Sequence, residues 1–534
     1  MTGATITHPR AAVRAHRLGR IDRAGLALLG FLIAWGIGPA VGMAVHALVA
    51  HQSLTGADGF FAGDQLQYLA WIRDAGANGL VSNLYEPAPT AHVYLQPMFA
   101  LSGLLWRLGV PIVLAYWLWK PVAIAALFAG AAMLAEHTLP RPSRATAVCL
   151  ALFMLTPVAS LVAWVHVGSL AWRTGVLQVG AEAMTAGELW GYLPSAIAIG
   201  LMPIVLIALD RALQPAGLRR RPLLVAAGAA AVVSWLHPWQ GAILLLVVVA
   251  LGAWELADGV VVGRWRALFG IAVVAAAAAA PLAYYFVLSH ADAAWRLAAH
   301  NEKVPRPSLV ALTAGLVPLL LIAAVGVRRP GRDMIERALP LWVAASLVCY
   351  AVIDAFSSHA LAGISLPVAI FAVRGWRRLR LPTLVGALAL AAVTIPGIAY
   401  YGRAFHRAVR GPQQGYYLTG SESSALRWLS SGAPSGSVLA PPVLAEAIPS
   451  RTGRRVWVGQ QFWSRNWGSR FIAAEELFAG TLAPPAARRL VTLSGARLLV
   501  SDCAHRFDLG PELRGSLSAV RRFGCASVYV LSRT

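Results

Sequence analysis

The polar stretch from Asp58 to Pro97 is the longest polar interruption in the apolar part of this chain, and its side chains could do chemistry. Only 23 of its 534 residues are acidic, and four of those fall here. The acidic residues are Asp58, Asp64, Asp74 and Glu86, and the aromatic residues beside them include Tyr68, Trp71, Tyr85 and Tyr94. A carboxylate can act as a general base when it reaches the proton and its pKa lies below the working pH. The stretch directly follows a long apolar segment, so an acidic, aromatic site beside a membrane is indicated.

The composition predicts the class of protein that positions this stretch. Hydrophobic residues make up 58% of the chain and charged residues 13%. Apolar runs of about 17 to 25 residues, the length that a bilayer requires, recur from Leu26 to Tyr400. We therefore predict a polytopic α-helical membrane protein of the cell membrane with about 11–13 transmembrane helices.

The charge distribution predicts the orientation. The net charge of +22 comes almost entirely from arginine, which clusters in short loops between apolar runs. The positive-inside rule accounts for this pattern, so we expect no nucleic-acid partner. Residues 1–25 are predicted to be cytoplasmic, as are the loops that end at Arg221 and begin at Arg328 and Arg374. The first apolar run, about Leu26 to Val49, is expected to be an uncleaved helix.

This orientation divides the chain into a transmembrane part, 26–402, and an extracytoplasmic domain, 403–534. The first loop, 51–96, lies on the outer side with that domain. Four apolar candidates follow it, near 97–108, 111–135, 146–165 and 191–210. An odd number of crossings is needed before Asp210, so either one candidate does not span or a fifth lies around 166–180.

Later outer loops add further candidate residues. Arg173 lies in a polar stretch with several Trp residues, which could equally be a connecting loop in the interfacial belt. His237 precedes Pro238 at a helix end, where a structural role is the more common one. Lys303 lies in a stretch of mixed charge that is typical of solvated segments, and His359 lies in a short turn between apolar runs.

The C-terminal domain alternates strand-length and helix-length patterns, which predicts an α/β layer with a largely parallel sheet. From residue 411 onward it carries 14 Arg against 7 acidic residues, hence 14 − 7 = +7. Such a basic domain suits anionic headgroups or a phosphate-bearing substrate, or reflects general arginine richness. Cys503 and Cys525 could form a disulfide in this oxidising location. No motif supports metal or nucleotide chemistry, so we expect no cofactor, although a divalent metal is left open.

Five short motifs recur along the chain in a recognisable order: the stretch GlyAspGlnLeuGlnTyrLeuAlaTrpIleArgAspAla from Gly63, the LeuTyrGluPro from Leu84, the HisPro at His237, the IleSerLeuPro from Ile364 and the TGRRV-like segment from Thr452. With these motifs the chain resembles the GT-C superfamily of integral-membrane glycosyltransferases. The resemblance implies a sugar donor linked to polyprenyl phosphate and a glycan, lipid or protein acceptor on the outer face. It also implies that a first-loop carboxylate acts as general base and that transfer inverts the anomeric carbon.

The resemblance assigns the base to Asp64, with Asp58 second. The leaving phosphate would need a cation, for which Arg173, Lys303 and His359 are candidates. The substrate-binding residues that we predict are Tyr68, Arg73, Glu86, Arg173, His237, Lys303 and His359.

Other interpretations stay open at this level. Asp64 could simply cap the helix that begins at Gln65, because Asp is favoured at helix N-caps. The chain could also be a transporter or flippase for a lipid-linked saccharide, or a non-catalytic envelope scaffold. A transporter would be expected to show internal repeats, and none is evident.

Overall fold

The computed structural model describes residues 22–165, 167–214, 217–257, 264–327, 333–380, 382–410 and 415–532. The basic N-terminus up to residue 21 and the arginine-rich loop at 328–332 lie outside these ranges. The α-helices are α1 Arg23–Val49, α2 Ala62–Asn78, α3 Pro97–Arg107, α4 Ile112–Trp117, α5 Trp119–Thr138, α6 Arg144–Phe153, α7 Pro157–Val165, α8 Leu170–Ala183, α9 Leu193–Ala212, α10 Arg220–Leu236, α11 Pro238–Ala257, α12 Arg264–Ala291, α13 Ala293–Asn301, α14 Leu309–Gly326, α15 Met334–Val352, α16 Ser365–Leu379, α17 Thr383–Arg410, α18 Gly420–Ser431, α19 Pro442–Thr452, α20 Trp467–Ala479 and α21 Pro484–Ser494. Short 3₁₀ helices lie at Arg141–Ser143, Thr185–Trp190 and Ser357–Leu361. The strands are β1 Ser53–Leu54, β2 Tyr417–Leu418, β3 Val438–Leu439, β4 Leu498–Ser501, β5 Leu517–Phe523 and β6 Ala526–Leu531.

Within the described ranges, seven helices are long and apolar enough to cross a membrane, or nine if each of two bent pairs is one span. The seven are α1, α4 with α5, α9, α11, most of α12, α15 and α17, and the bent pairs are α6 with α7 and the two halves of α14. This confirms a polytopic helical membrane protein. Helices α10 and α16 have 17 and 15 residues, about 25 and 22 Å, and are short for a span. If α10 and α16 are counted as well, the number of spans rises from nine to eleven, which is the lower end of the expected range.

Helix length bears on the number of crossings between the first loop and Asp210. Helix α3 has 11 residues, about 16 Å, and is too short to cross a bilayer. The other three candidates correspond to α4 with α5, the bent pair α6 with α7, and α9. If the bent pair is one span, three crossings result, which is the odd number that the expected orientation requires; the orientation itself stays a prediction.

The C-terminal domain contains helices packed with a four-stranded sheet of order β3-β4-β6-β5. Only β3 and β4 pair in parallel, whereas β6 pairs antiparallel with both β4 and β5. The expectation of a largely parallel sheet is therefore wrong. The reason is that β5 and β6 form a tight hairpin, and the segment that begins at Thr452 contributes only an isolated bridge at Val456.

Two local features stabilise the C-terminal domain. The predicted disulfide between Cys503 and Cys525 is present. Helix α18 begins with a full capping box, in which Thr419 and Glu422 each bond the other's backbone N–H.

The first loop is bound directly to the C-terminal domain. Strand β1 of the loop pairs antiparallel with β2, which follows the last membrane helix. The Arg73 guanidinium donates to the backbone carbonyls of Ser450 and Arg451 at 2.8 and 3.0 Å. Glu86 accepts from Arg470 at 3.0 Å. These contacts bring the C-terminal domain onto α2, where the candidate site lies.

Candidate active site

A cavity of about 560 Å³ opens between the membrane helices, the first loop and the C-terminal domain. Its walls are largely aromatic, and its polar lining includes Asp64, Glu302, His237, His359 and Gln460. The aromatic residues are Tyr68, Trp71, Tyr94, Phe99, Tyr192, Trp239, Tyr285, Phe286, Trp295, Phe356, Phe462 and Trp463. Among the described residues that line it, none is Arg or Lys. A concave site of this size with few convergent polar groups suits a small organic ligand.

Asp64 is held in this cavity by two donors from distant parts of the chain. The Tyr192 hydroxyl donates to Asp64 Oδ2 at 2.6 Å, and Gln460 Nε2 donates to Oδ1 at 2.9 Å. Burial raises the pKa of Asp64, while these two hydrogen bonds and the positive charge of His359 oppose the rise. Each carboxylate oxygen keeps a second lone pair that can accept a proton. The arrangement fixes a carboxylate that can take a proton from a group in the cavity.

The interpretation of Asp64 as a helix cap is wrong, because α2 begins earlier than predicted. Its N-cap is Phe61, which has a φ of +56° and makes no side-chain capping bond, so Asp64 lies in the first turn. A bulky residue in the left-handed region costs on the order of 1–3 kcal/mol and is held there by its surroundings. Phe356 has a φ of +38° and directly precedes the 3₁₀ helix that carries His359. Both polar residues thus follow a strained turn.

The turn before α2 is fixed by a close approach to Trp190. The Phe60 N–H donates to the carbonyl of Trp190 at 2.6 Å. Gly59, with a φ of +69°, leaves room for this contact, since a Cβ there would lie 2.5 Å from the same carbonyl oxygen. Gln65 also donates to the carbonyls of Asp58 and Phe60, which closes the loop onto the start of α2.

His359 supplies the positive charge of the cavity. Its Nδ1 lies 3.0 Å from Glu182 Oε1 on α8. Burial by itself would lower the pKa of His359, but the charges of Glu182, Glu188 and Asp64, with the hydrogen bond that the ring donates to Glu182, outweigh burial and raise it to about 9. The ring is therefore an imidazolium at neutral pH, and its other nitrogen can donate to an anion.

Asp58, the second predicted base, does not line the cavity. It is 1% exposed and lies 2.7 Å from Lys120 Nζ, which also donates to the carbonyls of Gly36 and Leu189. This is a buried ion pair that ties the first loop to α1 and α5. The geometry gives Asp58 a structural contact and no access to a substrate in the cavity.

The predicted substrate-binding residues fall into two groups. Tyr68, His237 and His359 line the cavity. Arg73 and Glu86 instead make the contacts between the first loop and the C-terminal domain described above, because each is engaged by partners from that domain. Their predicted role in substrate binding has no support in this geometry.

Two predicted cationic residues also lie outside the cavity. Arg173 lines a different pocket, between α7, α8 and α17. Lys303 is exposed, although its neighbour Glu302 lines the cavity. Of the three candidates for a phosphate partner in the cavity, only His359 is in place.

The sequence alone did not single out Gln460, Tyr192 or Glu302. Gln460 is 396 residues from Asp64, and no local pattern relates them. Glu302 belongs to a stretch whose mixed charge suggested only solvation, yet burial raises its pKa to about 7 despite the nearby His359. The one available signal was the polar, Trp-containing stretch around Arg173, which ends at Tyr192.

The donor set for a metal is limited. Within the described ranges, no three His, Cys, Asp or Glu side chains are grouped so that they could hold a metal ion. The polar groups of the cavity are distributed around its wall, with Asp64 bound by Tyr192 and Gln460.

No protein-family model matches the chain, and no curated protein matches it. Several solved structures do match. AftD, an arabinofuranosyltransferase from Mycobacteria, is 15% identical with a TM-score of 0.55, over 96% of this chain and 40% of AftD. AglB, the oligosaccharyltransferase of Archaeoglobus fulgidus solved with an inhibitory peptide and a dolichol-phosphate, is 11% identical with a TM-score of 0.51, over 90% of this chain and 69% of AglB. ArnT of Cupriavidus metallidurans, solved with undecaprenyl phosphate, is 13% identical with a TM-score of 0.50, over 95% of this chain and 97% of ArnT.

At these identities the likeness shows the fold. AftD, AglB and ArnT are GT-C membrane glycosyltransferases, and this chain shares their architecture of membrane helices followed by a C-terminal domain. The resemblance drawn from the first-loop and later motifs is thereby confirmed at the level of fold.

Proposed function

We propose that this chain, whose fold is that of the GT-C membrane glycosyltransferases, transfers a sugar from a polyprenyl-phosphate-linked donor to an acceptor hydroxyl. The transfer takes place on the extracytoplasmic face of the cell membrane. The observation that carries the proposal is the position of Asp64, a doubly anchored carboxylate in the wall of a cavity between membrane helices and the C-terminal domain. The acceptor is an envelope glycan, lipid or protein.

Asp64 acts as the general base. The acceptor oxygen attacks the anomeric carbon of the donor sugar while Asp64 takes the hydroxyl proton, and the bond from that carbon to the phosphate oxygen breaks. The polyprenyl phosphate leaves on the opposite face, so the configuration inverts. Tyr192 and Gln460 fix both carboxylate oxygens, which holds the base in one orientation before the substrate arrives. Burial raises the pKa of Asp64 toward the working pH, where a general base is most effective.

His359 binds the phosphate of the donor. Its imidazolium is the positive group in a cavity whose described lining holds no Arg or Lys. Negative charge develops on the phosphate oxygen as the bond to the sugar breaks, and a preorganised cation stabilises that charge. Glu182 sets the orientation of the ring through Nδ1, which leaves Nε2 for the phosphate.

The aromatic walls suit a sugar. The ring centroids of Trp239 and His359 lie 5.0 Å apart, and those of Trp295 and Trp463 lie 4.8 Å apart. All four rings line the same cavity. Flat rings offer apolar faces for the C–H groups of a sugar, while the few polar groups select its orientation. The polyprenyl-phosphate lipids found with AglB and ArnT support the same donor class for this chain.

The test compares Asp64→Asn with a matched control. Membranes that contain the full chain are incubated with radiolabelled polyprenyl-phosphate sugars, and transfer to endogenous acceptors is measured. Asp64→Asn keeps shape but removes the base, so transfer should fall by about 100-fold or more. The control is Asp354→Asn, which changes the same functional group at an exposed carboxylate that pairs with Arg306 and does not line the cavity. It should transfer sugar like the wild type.

Two results would contradict the proposal. Equal transfer by the wild type and Asp64→Asn would remove Asp64 from the chemistry. An absence of transfer by the wild type with every polyprenyl-phosphate donor offered would contradict the enzyme assignment and favour a transporter or a scaffold.

A further inference from the structure

A second pocket, of about 220 Å³, lies between α7, α8 and α17. Its polar lining consists mainly of three arginines, Arg173, Arg403 and Arg407, together with Thr174 and Tyr400. Among the described residues that line it, none is acidic. Three guanidinium groups around one small pocket create a site that attracts an anion.

The pocket lies where membrane helices reach the interface with water. Helix α7 is the second half of a bent candidate span, and α17 is a candidate span whose last turns carry Arg403 and Arg407. Trp164 at the end of α7 lines the pocket and lies under the Arg403 guanidinium, 5.9 Å from its carbon. Trp and Tyr are typical of membrane interfaces, at the depth of lipid headgroups. An anion at this depth is most readily the phosphate of a lipid.

The pocket is separate from the Asp64 cavity. The two share no lining residue. Arg173 and Glu182, which contacts His359 in the cavity, are nine residues apart on α8, about 13.5 Å along the helix. In the donor that we propose, the phosphate is bonded directly to the sugar at Asp64, so that phosphate cannot occupy the arginine pocket as well. Its ligand is a different molecule.

The pocket also has the apolar surface that a lipid requires. Leu170 and Leu177 line one side from α8, and Val162 lines the other from α7. The first turns of α8 add the positive end of a helix dipole, which favours an anion at this end of the helix. Positive charge, an interfacial position and apolar walls occur together in this pocket.

We propose that the pocket formed by Arg173, Arg403 and Arg407 binds the phosphate headgroup of an anionic lipid at the membrane surface. The exclusion of the sugar donor as the ligand rests on the proposed function, whereas the lipid-binding test below is independent of sugar transfer. The phosphate is held by guanidinium groups, and the first part of the acyl chains lies against the leucines of α8.

The test measures binding of dioctanoyl phosphatidic acid to the purified full chain in a non-ionic detergent by microscale thermophoresis. The variant Arg403→Gln with Arg407→Gln removes two of the three cations. Both residues are exposed, so folding should be retained. Loss of two charge-assisted contacts should raise the Kd by at least about tenfold. The matched control is Arg489→Gln with Arg514→Gln, which removes the same charge from exposed positions of the C-terminal domain.

Two further probes separate the sources of the ligand. Dioctanoylglycerol has the same chains without the phosphate, and inorganic phosphate has the anion without the chains. We expect both to bind much more weakly than phosphatidic acid. Binding that weakens as salt rises would agree with an electrostatic site.

Each other outcome overturns a stated part of the inference. An unchanged Kd in the Arg403 and Arg407 variant, or an equal loss in the control pair, would overturn the site. Equally tight binding of dioctanoylglycerol would overturn the phosphate, and equally tight, arginine-dependent binding of inorganic phosphate would overturn the lipid.

Discussion

Replacing Tyr192 with Phe should weaken the proposed base most strongly at low pH. The Tyr192 hydroxyl donates a 2.6 Å hydrogen bond to Asp64 Oδ2, and this bond stabilises the ionised carboxylate. A hydrogen bond to a charged group contributes about 1.5–3 kcal/mol. That range corresponds to a factor of about 10 to 150 in an equilibrium or rate constant. Tyr192→Phe removes the bond and leaves the ring, so the pKa of Asp64 rises further above its usual value.

The sign of this change determines the shape of the pH profile. Below the raised pKa, less Asp64 is ionised in Tyr192→Phe than in the wild type, and kcat/KM should fall by up to that factor. Above it, Asp64 is ionised in both proteins, so the difference should shrink. The assay is the pH dependence of kcat/KM for sugar transfer.

Tyr285→Phe provides the matched control for this experiment. Tyr285 lines the same cavity, and its hydroxyl donates a 2.6 Å bond to the carbonyl of Trp235 and none to Asp64. It should lower kcat/KM equally at all pH values or leave it unchanged. A Tyr192→Phe profile with the shape of the wild type, or one that matches Tyr285→Phe, would refute the coupling of Tyr192 to the base.

The remaining predictions concern charge and stability. His359 is charged below a pKa of about 9 and neutral above it, so wild-type kcat/KM should fall as the pH rises through about 9. In His359→Gln kcat/KM should be lower at neutral pH and show no such fall; an alkaline fall that persists would assign it to another group. Lys120→Met leaves Asp58 buried without its cation, which should cost about 3–5 kcal/mol and lower Tm, and a normal Tm would show that the pair adds little. Replacing Cys503 and Cys525 with Ser should destabilise the C-terminal domain by about 3 kcal/mol, measured by denaturation, because their disulfide closes a loop with a separation of 22 residues.

The membrane part was predictable because the bilayer constrains it strongly. Apolar runs of spanning length identified the membrane helices, and the expected orientation required an odd number of crossings before Asp210, which left open whether one candidate does not span or a fifth is hidden. The structure favours the first alternative, because α3 has only 11 residues, and hydrophobicity alone does not distinguish so short a helix from part of a span. The C-terminal sheet was harder, because the hairpin of β5 and β6 depends on pairing that short strand patterns do not specify.

The site was predictable where its residues are local and not where they are brought together by the fold. Asp64 follows a membrane segment in an acidic, aromatic stretch; that setting indicated the stretch, and the resemblance to the GT-C superfamily singled out Asp64 within it. The structure shows why Asp58 was also selected, since it has the same chemistry and the same neighbourhood in sequence. What separates the two is burial against Lys120, which lies in a membrane helix more than 60 residues away. Tertiary contacts of that kind leave no local pattern.

The contacts of Arg73 and Glu86 explain how a residue as distant as Gln460 can hold the base. Arg73 lies on α2, nine residues after Asp64, and its guanidinium binds the end of α19 in the C-terminal domain. Glu86 binds Arg470, which follows Gln460 in the sequence, whereas the end of α19 precedes it. The segment that carries Gln460 is thus fixed to the first loop on both sides. In this docked arrangement Gln460 Nε2 donates to Asp64 at 2.9 Å, so the C-terminal domain supplies one of the two hydrogen bonds that hold the proposed base. Charged residues that looked like substrate ligands in the sequence therefore serve the site by assembling it.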